Sequence, residues 1–263
     1  MSRPLKVSFV CPTYNRPHYL PTAVRCFLQQ EYENKELIIV DDGTDRLDFS
    51  QYDARIRHFH LGSRTSTGTK RNIGIHASFG DIIANLDDDD WSHPYRTTDE
   101  VQRLLKTNKA VTGYNASIMY DETTGQIYKI PGGPPYFASG SSQLYMKSWW
   151  DLHPYPDCSF GEDSVFSRTA RLADELAIAE PGKMLVVRRH TTNTSEIYLP
   201  KLPKLPVQEV SLEFWKMIKS PRIPMSLYVS ESPSVWCQQE ADMQFQASVV
   251  DYRVGWLPEV QTR

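Results

Sequence analysis

The first half of the chain alternates short, continuous apolar runs with stretches whose apolar residues recur at helical spacing. Residues 7–11 form a β-rich apolar run, closed by the turn-forming Pro12-Thr13-Tyr14-Asn15-Arg16-Pro17. Leu20, Ala23, Val24, Phe27 and Leu28 then share one face of a 3.6-residue period, with Pro21 accommodated if it lies in the first turn. Residues 37–40 are a second buried-strand run, ending at Asp41-Asp42-Gly43, and residues 56–61 are a weaker strand. Gly68 opens a predicted helix over 69–78, and 81–86 is another strand, followed at once by Asp87-Asp88-Asp89-Asp90. Strands alternating with helices require right-handed crossovers, so the expected fold is α/β with a mostly parallel central sheet.

The second half is less regular. Val101, Leu104 and Leu105 suggest a helix and residues 110–114 a strand. Residues 118–120 and 127–130 flank Asp121-Glu122-Thr123-Thr124-Gly125-Gln126 as a hairpin. Pro131-Gly132-Gly133-Pro134-Pro135 reads as a loop over a site. Val165, Phe166, Thr169, Leu172, Ala173 and Leu176 fit one helical face, and 184–187 fits a strand. After about Tyr198 the character changes. Pro200, Pro203, Pro206, Pro221, Pro224 and Pro233 break the chain around Trp215, Trp236 and Trp256. The expected division is a main domain over 1–197, in two halves (1–96 and 97–197), and an irregular C-terminal extension over 198–263 that packs on it.

Composition adds little to this picture and removes some classes. The 263 residues are 40% hydrophobic and 23% charged, enough to bury a substantial core. A formal charge of −3 gives no electrostatic case for nucleic acid or anionic membrane as an obligatory partner. No apolar run approaches the roughly 20 residues needed to span a bilayer. Cys11, Cys26, Cys158 and Cys237 form no C-x-x-C pair and read as reduced thiols. With a strand starting a few residues from the N-terminus, the expectation is a cytoplasmic chain without a signal peptide, for which the sequons at Asn115 and Asn193 carry no weight.

Three polar clusters fall at the carboxyl ends of predicted strands: Thr13 to Arg16, Asp41 to Asp45, and Asp87 to Asp90. Ligands of open α/β sheets bind at that edge. Four successive aspartates repel one another unless a cation or solvent screens them, and Mg²⁺ or Mn²⁺ often bridges such carboxylates to substrate phosphates. In an extended segment Asp87 and Asp89 would share one side, with Asp88 and Asp90 on the other. A solvated acidic loop would give the same letters, whereas the spacing excludes an EF-hand. Asp41-Asp42-Gly43 serves as a turn or as an acceptor for a base imide or ribose hydroxyl. Lys70 and Arg71 open a helix, where cations oppose the dipole, unless they face a pyrophosphate alongside Asn72. Two solvated basic residues are the plain alternative.

In their order and spacing these pieces resemble the family 2 glycosyltransferases of the GT-A fold. The matching segments are Val7-Ser8-Phe9-Val10-Cys11-Pro12-Thr13-Tyr14-Asn15-Arg16, Leu37-Ile38-Ile39-Val40-Asp41-Asp42-Gly43-Thr44-Asp45, Lys70-Arg71-Asn72-Ile73-Gly74, the run from Gly80 to Asp90, and Gly161-Glu162-Asp163. The likeness is strong over about 5–95, patchy to about 190, and absent beyond. It implies a Rossmann-like nucleotide-sugar-binding half, a variable acceptor half, and transfer with inversion. By analogy Thr13 or Tyr14, Arg16 and Asp42 line the nucleoside pocket, with Asp41 near the base or ribose. Asp87 and Asp89 match the D-x-D pair that holds Mn²⁺ or Mg²⁺, Asp88 joins the donor-binding set, and His190 is the late-strand metal or diphosphate contact. An unliganded structural histidine is the other reading of His190. Asp163 matches the general base and Glu162 an acceptor-hydroxyl binder, although acids also simply favour a helix start.

The implied activity is metal-dependent transfer of a sugar from a nucleotide donor, UDP by family frequency, to a hydroxyl. A glycan or lipid-linked sugar is the default acceptor; a protein or a modified base of nucleic acid is an alternative, to which Lys201, Lys204, Lys216, Lys219 and Arg222 give a weak pointer. A silent nucleotide-sugar-binding protein is the competing class. A sugar nucleotidyltransferase is disfavoured because residues 11–16 contain no glycine. Ser139-Gly140-Ser141 reads as a turn or a close approach to a donor sugar. Trp149 and Trp150 read as core packing or as an acceptor platform.

Overall fold

The computed structural model describes residues 3–44, 47–130, 138–180, 183–193, 202–206 and 214. Its first half contains β1 (Val7–Thr13), α1 (Leu20–Gln29), β2 (Lys35–Asp41), β3 (Ile56–His60), α2 (Thr67–His76) and β4 (Ile82–Asn85). Then follow β5 (Trp91–Ser92), α3 (Arg96–Thr107), β6 (Val111–Tyr114), β7 (Ser117–Asp121) and β8 (Gln126–Ile130). A 3₁₀ turn (Gly140–Ser142), β9 (Leu144–Met146), α4 (Lys147–Leu152), α5 (Glu162–Leu172), β10 (Leu176–Ala179), β11 (Leu185–Arg189) and β12 (Lys204–Leu205) complete the described elements.

A seven-stranded sheet runs in the order β10-β6-β9-β4-β1-β2-β3. β1 is parallel to β2 and β4, and β2 to β3. Every residue of β1, β2 and β4 is buried, which is why their sequences read as near-continuous apolar runs. α1 buries Leu20, Ala23, Val24 and Phe27 and carries its proline in the first turn, where no amide partner is missed. α2 begins at Ser66, whose hydroxyl accepts the Thr69 N–H. It lies close on the sheet at Gly74, where a Cβ would stand 2.6 Å from Val10 Cγ1.

A second, five-stranded sheet, β12-β8-β7-β11-β5, is mixed. The expected hairpin is present as antiparallel β7 and β8, and β11 lies parallel to β7. Three features escape the hydrophobic pattern. β9 inserts antiparallel between β4 and β6, and α4 follows it directly. The helical face read through Leu176 is corrected: α5 ends at Leu172, Asp174 takes a left-handed φ of 58°, and Leu176 begins β10. The inward phase of α5 is set by Phe166 and Ala170, which pack with Tyr145 and Tyr155, while Val165 and Leu172 are exposed. Among residues of the expected C-terminal extension, β12 pairs with β8 and Phe214 packs edge-on against Trp91 and Tyr120. The loop at 131–135, Cys237, Lys201, Lys216, Lys219, Arg222 and the three late tryptophans lie outside the described residues. No disulfide joins Cys11, Cys26 and Cys158 to one another. No helix among the described residues is long and apolar enough to cross a membrane.

Candidate active site

Because β1, β2 and β4 are parallel, their polar ends emerge at one edge. Between that edge and the start of α5 lies a cavity of about 570 Å³, within the usual range for small-molecule sites. Its walls are residues 12–16, Arg64, Thr67, Lys70, Arg71, residues 87–90 and 159–164, with Val187, Thr192 and Asn193.

All four aspartates line it, yet each has a separate setting. Asp88 accepts the Thr13 hydroxyl at 2.6 Å and Arg16 Nη1 at 2.9 Å. Asp89 shares that Arg16 nitrogen at 2.9 Å and faces His190 Nε2 at 2.9 Å. Asp87 accepts Arg71 Nη2 at 2.8 Å, and Asp90 accepts the Arg188 N–H at 2.9 Å. The segment leaves the extended conformation after β4, so the alternation expected of a strand is replaced by a pairing of Asp88 with Asp89 through Arg16. Burial, followed by the charge of Asp89, pushes the Asp88 carboxyl up to about 6. The same two causes, with Asp87, push Asp90 well above the carboxylate range.

His190 stacks on Tyr19 with centroids 4.3 Å apart. Its Nδ1 accepts the Thr192 N–H at 3.2 Å, and the Thr192 hydroxyl lies 2.9 Å from the same nitrogen. That contact leaves the ring proton on Nε2, facing Asp89; ligation through Nε2 would move the proton to Nδ1, where the Thr192 hydroxyl could accept it in place of the N–H contact.

On the opposite wall Lys70 Nζ donates to Thr13 O at 2.8 Å and Asp42 Oδ1 at 2.7 Å. Burial lowers its pKa against the pull of Asp42. Asp42 also accepts Arg64 Nη1 through both oxygens and the Thr65 N–H, and the Arg64 guanidinium lies 3.6 Å from the centroid of the Tyr14 ring. Arg71 is buried; Nε lies 3.6 Å from Glu162, and neither Nε nor Nη1 has a hydrogen-bond partner among the described residues. Buried guanidinium donors are rarely left so, which marks Arg71 as ready for an anion.

The left-handed Gly161 (φ 80°) turns the chain into α5, headed by Glu162 and Asp163. Glu162 is buried and its carboxyl is raised by desolvation, against the pull of Arg71. Asp163 is half-buried; Oδ1 accepts the Ser164 N–H at 2.7 Å, and Oδ2 rests against Gly140, where a Cβ would stand 2.2 Å away. No cation pairs with Asp163 among the described residues. The loop before α5 is fastened to the start of α2: Asp157 accepts the Ser66 and Thr69 hydroxyls, and Gly68 N–H donates to Cys158 O at 3.0 Å. A Cβ at Gly68 would stand 2.0 Å from Pro156 O.

Of the residues singled out in the sequence, Thr13, Tyr14, Arg16, Lys70, Arg71, Asp87, Asp88, Asp89, Glu162 and Asp163 line the cavity, with His190 directly behind Asp89. Asp41, Asp42 and Asn72 do not. Asp41 turns towards His58 and His60, Asp42 is enclosed by its cations, and the Asn72 amide is spent on Tyr155 and the Trp150 indole. Neither Trp149 nor Trp150 lines the cavity. Sequence reasoning missed Arg64 and the loop at 157–160, while Gly140, read as a turn or a close approach to a donor sugar, rests against Asp163. Arg64 alone carried a signal, as a cation just past the end of a strand at the ligand edge.

The profile described as Glycosyl transferase family 2 matches residues 8–190. The chain belongs to that family. Relatives include an uncharacterized glycosyltransferase of Rickettsia bellii (strain RML369-C), 37% identical over 137 residues, 50% of this chain and 19% of that protein. Another is the putative glycosyltransferase EpsH of Bacillus subtilis (strain 168), 32% identical over 222 residues, 74% of this chain and 64% of that protein. The chain spans about half or less of the first three curated relatives, at 19%, 23% and 48% of their lengths. Among solved structures, S. aureus TarS 1-349 in complex with UDP aligns at a TM-score of 0.57 and 16% identity, over 70% of this chain and 61% of that one. The same protein in complex with UDP-GlcNAc aligns at 0.58 and 14% identity, over 93% and 73%. These likenesses show the GT-A fold.

Proposed function

We propose that the chain is a metal-dependent, inverting glycosyltransferase that moves a sugar from a UDP-linked donor to an acceptor hydroxyl. The observation that carries this reading is one cavity lined together by the acids after β4, by Arg71 and by Asp163, which has no paired cation among the described residues. Family membership supports the activity class, and the TarS complexes with UDP and UDP-GlcNAc support the donor.

The donor set fits a divalent cation. Asp89 and His190 converge at 2.9 Å and Asp87 is part-exposed, two carboxylates and an imidazole of the kind that bind such ions. Asp87, Asp89 and His190 would hold Mn²⁺ or Mg²⁺, which when bound supplies Lewis-acid stabilisation of the diphosphate. Asp163 takes the proton from the acceptor hydroxyl as that oxygen attacks the anomeric carbon. The bond from that carbon to the diphosphate breaks, and the departing oxygen keeps the electron pair. Arg71, its plane fixed by Asp87 and Glu162, offsets the growing charge from the cavity wall. Thr13 and Arg16 hold Asp88, and the Tyr14–Arg64 stack forms the rim towards the nucleoside.

The test is a thermal-shift panel of UDP and UDP-sugars with and without Mn²⁺, joined to donor turnover with and without sugar acceptors. A metal-dependent rise in melting temperature together with released UDP is expected. Binding without turnover would assign a silent binding protein instead.

A further inference from the structure

β3 carries His58 and His60 on one face, and β2 sets Asp41 in register with His60. The two imidazoles stack with centroids 4.3 Å apart. Asp41 Oδ2 lies 3.8 Å from His58 Nε2 and 3.7 Å from His60 Nδ1, and the three atoms all fall within 4.8 Å of one another. Such separations are too long for hydrogen bonds. The group is enclosed, with the His58 side chain fully buried and Asp41 7% exposed. Among the described residues His58 Nε2 has no hydrogen-bond partner, an uncommon state for a buried ring nitrogen.

The rest of each side chain is anchored so that these atoms converge. Asp41 Oδ1 accepts the Gly43 N–H at 2.7 Å. His60 Nε2 lies 2.7 Å from Leu47 O, which fixes the proton there and turns the Nδ1 lone pair towards Asp41. A carbonyl behind an imidazole is the usual support of a metal-bound histidine. Bond lengths of about 2.0–2.2 Å place neighbouring ligands of a tetrahedral zinc ion about 3.3–3.6 Å apart. The two carboxylate–imidazole separations need to close by only a few tenths of an ångström. Phe49 N–H approaches His58 Nδ1 at 3.4 Å, a long contact that ligation would give up, because Nδ1 would then carry the ring proton.

We propose that Asp41, His58 and His60 form a metal site separate from the cavity acids, taking a borderline transition cation such as Zn²⁺ with water completing its shell. Two nitrogens and one oxygen select Zn²⁺ over Mg²⁺, whereas the aspartates after β4 offer mainly hard oxygen. The site ties the ends of β2 and β3 next to Asp42, whose carboxylate holds Lys70 and Arg64 in the cavity wall. It stands independently of the proposed sugar transfer.

The test titrates the chelator-stripped full chain with Co²⁺ under excess Mg²⁺, which occupies the oxygen donors. One equivalent of Co²⁺ with the visible bands of a low-coordinate nitrogen–oxygen site is expected, displaced by Zn²⁺. His58→Gln and His60→Gln should abolish those bands and Asp89→Asn should keep them. Bands that survive both histidine changes, or vanish in Asp89→Asn alone, overturn the site. Should the histidine variants fail to fold, anomalous diffraction from wild-type crystals grown with Zn²⁺ decides. A peak bonded to His58 Nε2 and His60 Nδ1 supports the site, and its absence there overturns it.

Discussion

Two carboxylates, one behind the cavity wall and one on it, are treated in opposite ways. Asp42 is fully enclosed and accepts Arg64, Lys70 and the Thr65 N–H, so its lone pairs are taken. Asp163, at the head of α5, has the N–H and hydroxyl of Ser164, a bare glycine on its other side, and no cation among the described residues. An acid saturated with charge-assisted bonds is held still, as part of a wall. One without a cation keeps a lone pair for a proton.

The contrast is broken most directly at the free acid. Asp163→Asn should lower kcat by about 10²- to 10⁴-fold while leaving donor affinity nearly unchanged, measured by turnover and nucleotide titration. Near-normal turnover would remove Asp163 from the chemistry. The saturated acid should answer in stability. Asp42→Ala leaves Lys70 buried beside Thr13 O without its counter-charge and should cost about 3–5 kcal/mol in denaturant unfolding. Asp163→Ala should cost about 1 kcal/mol or less, the worth of a charge at a helix start. Equal losses from the two would erase the distinction.

Gly140→Ala sharpens it further. The added methyl meets the far end of the Asp163 side chain rather than backbone, so the fold should hold while the carboxylate is displaced. Turnover should fall about 10- to 100-fold with the melting temperature little changed, since small misplacements of a reacting group carry such penalties.

Glu100 is a third case, a buried acid that has a cation and still titrates high. Desolvation pushes it up to about 7 against the pull of Arg96. Its proton is held in the folded chain at a pH where the unfolded chain has lost it. Stability is therefore full below 4.5, the ordinary value, and lost as pH rises through about 7. The slope should not exceed about 1.4 kcal/mol per pH unit, and Glu100→Gln should flatten it. A wild-type profile flat across that window would contradict the assignment.

The parallel half of the fold was legible because strands covered on both faces leave unbroken apolar runs, each ending in a polar cluster at the ligand edge. β9 was not. Its three residues lie between strands that begin some 30 and 60 positions earlier, and nothing local marks them. α5 was read too long because Leu176 continues a helical spacing across Asp174, whose left-handed backbone no period reveals. In the site, strand ends located Thr13, Arg16 and the aspartates but not which way each side chain turns. Asp41, Asp42 and Asn72 share that edge and stand behind the wall. Arg64 sits in a polar loop without periodicity, and Gly140 matters only through its contact with Asp163.

The clasp between Gly68 and residues 156–158 bears on redesign. A relative's segment spliced in ahead of Asp163 to retarget the acceptor would arrive without its own seat on α2. Ser66, Gly68 and Thr69 would have to travel with it, because a side chain at 68 collides with the Pro156 carbonyl and Asp157 would lose both hydroxyls. The exchangeable unit is a pair of segments some ninety residues apart.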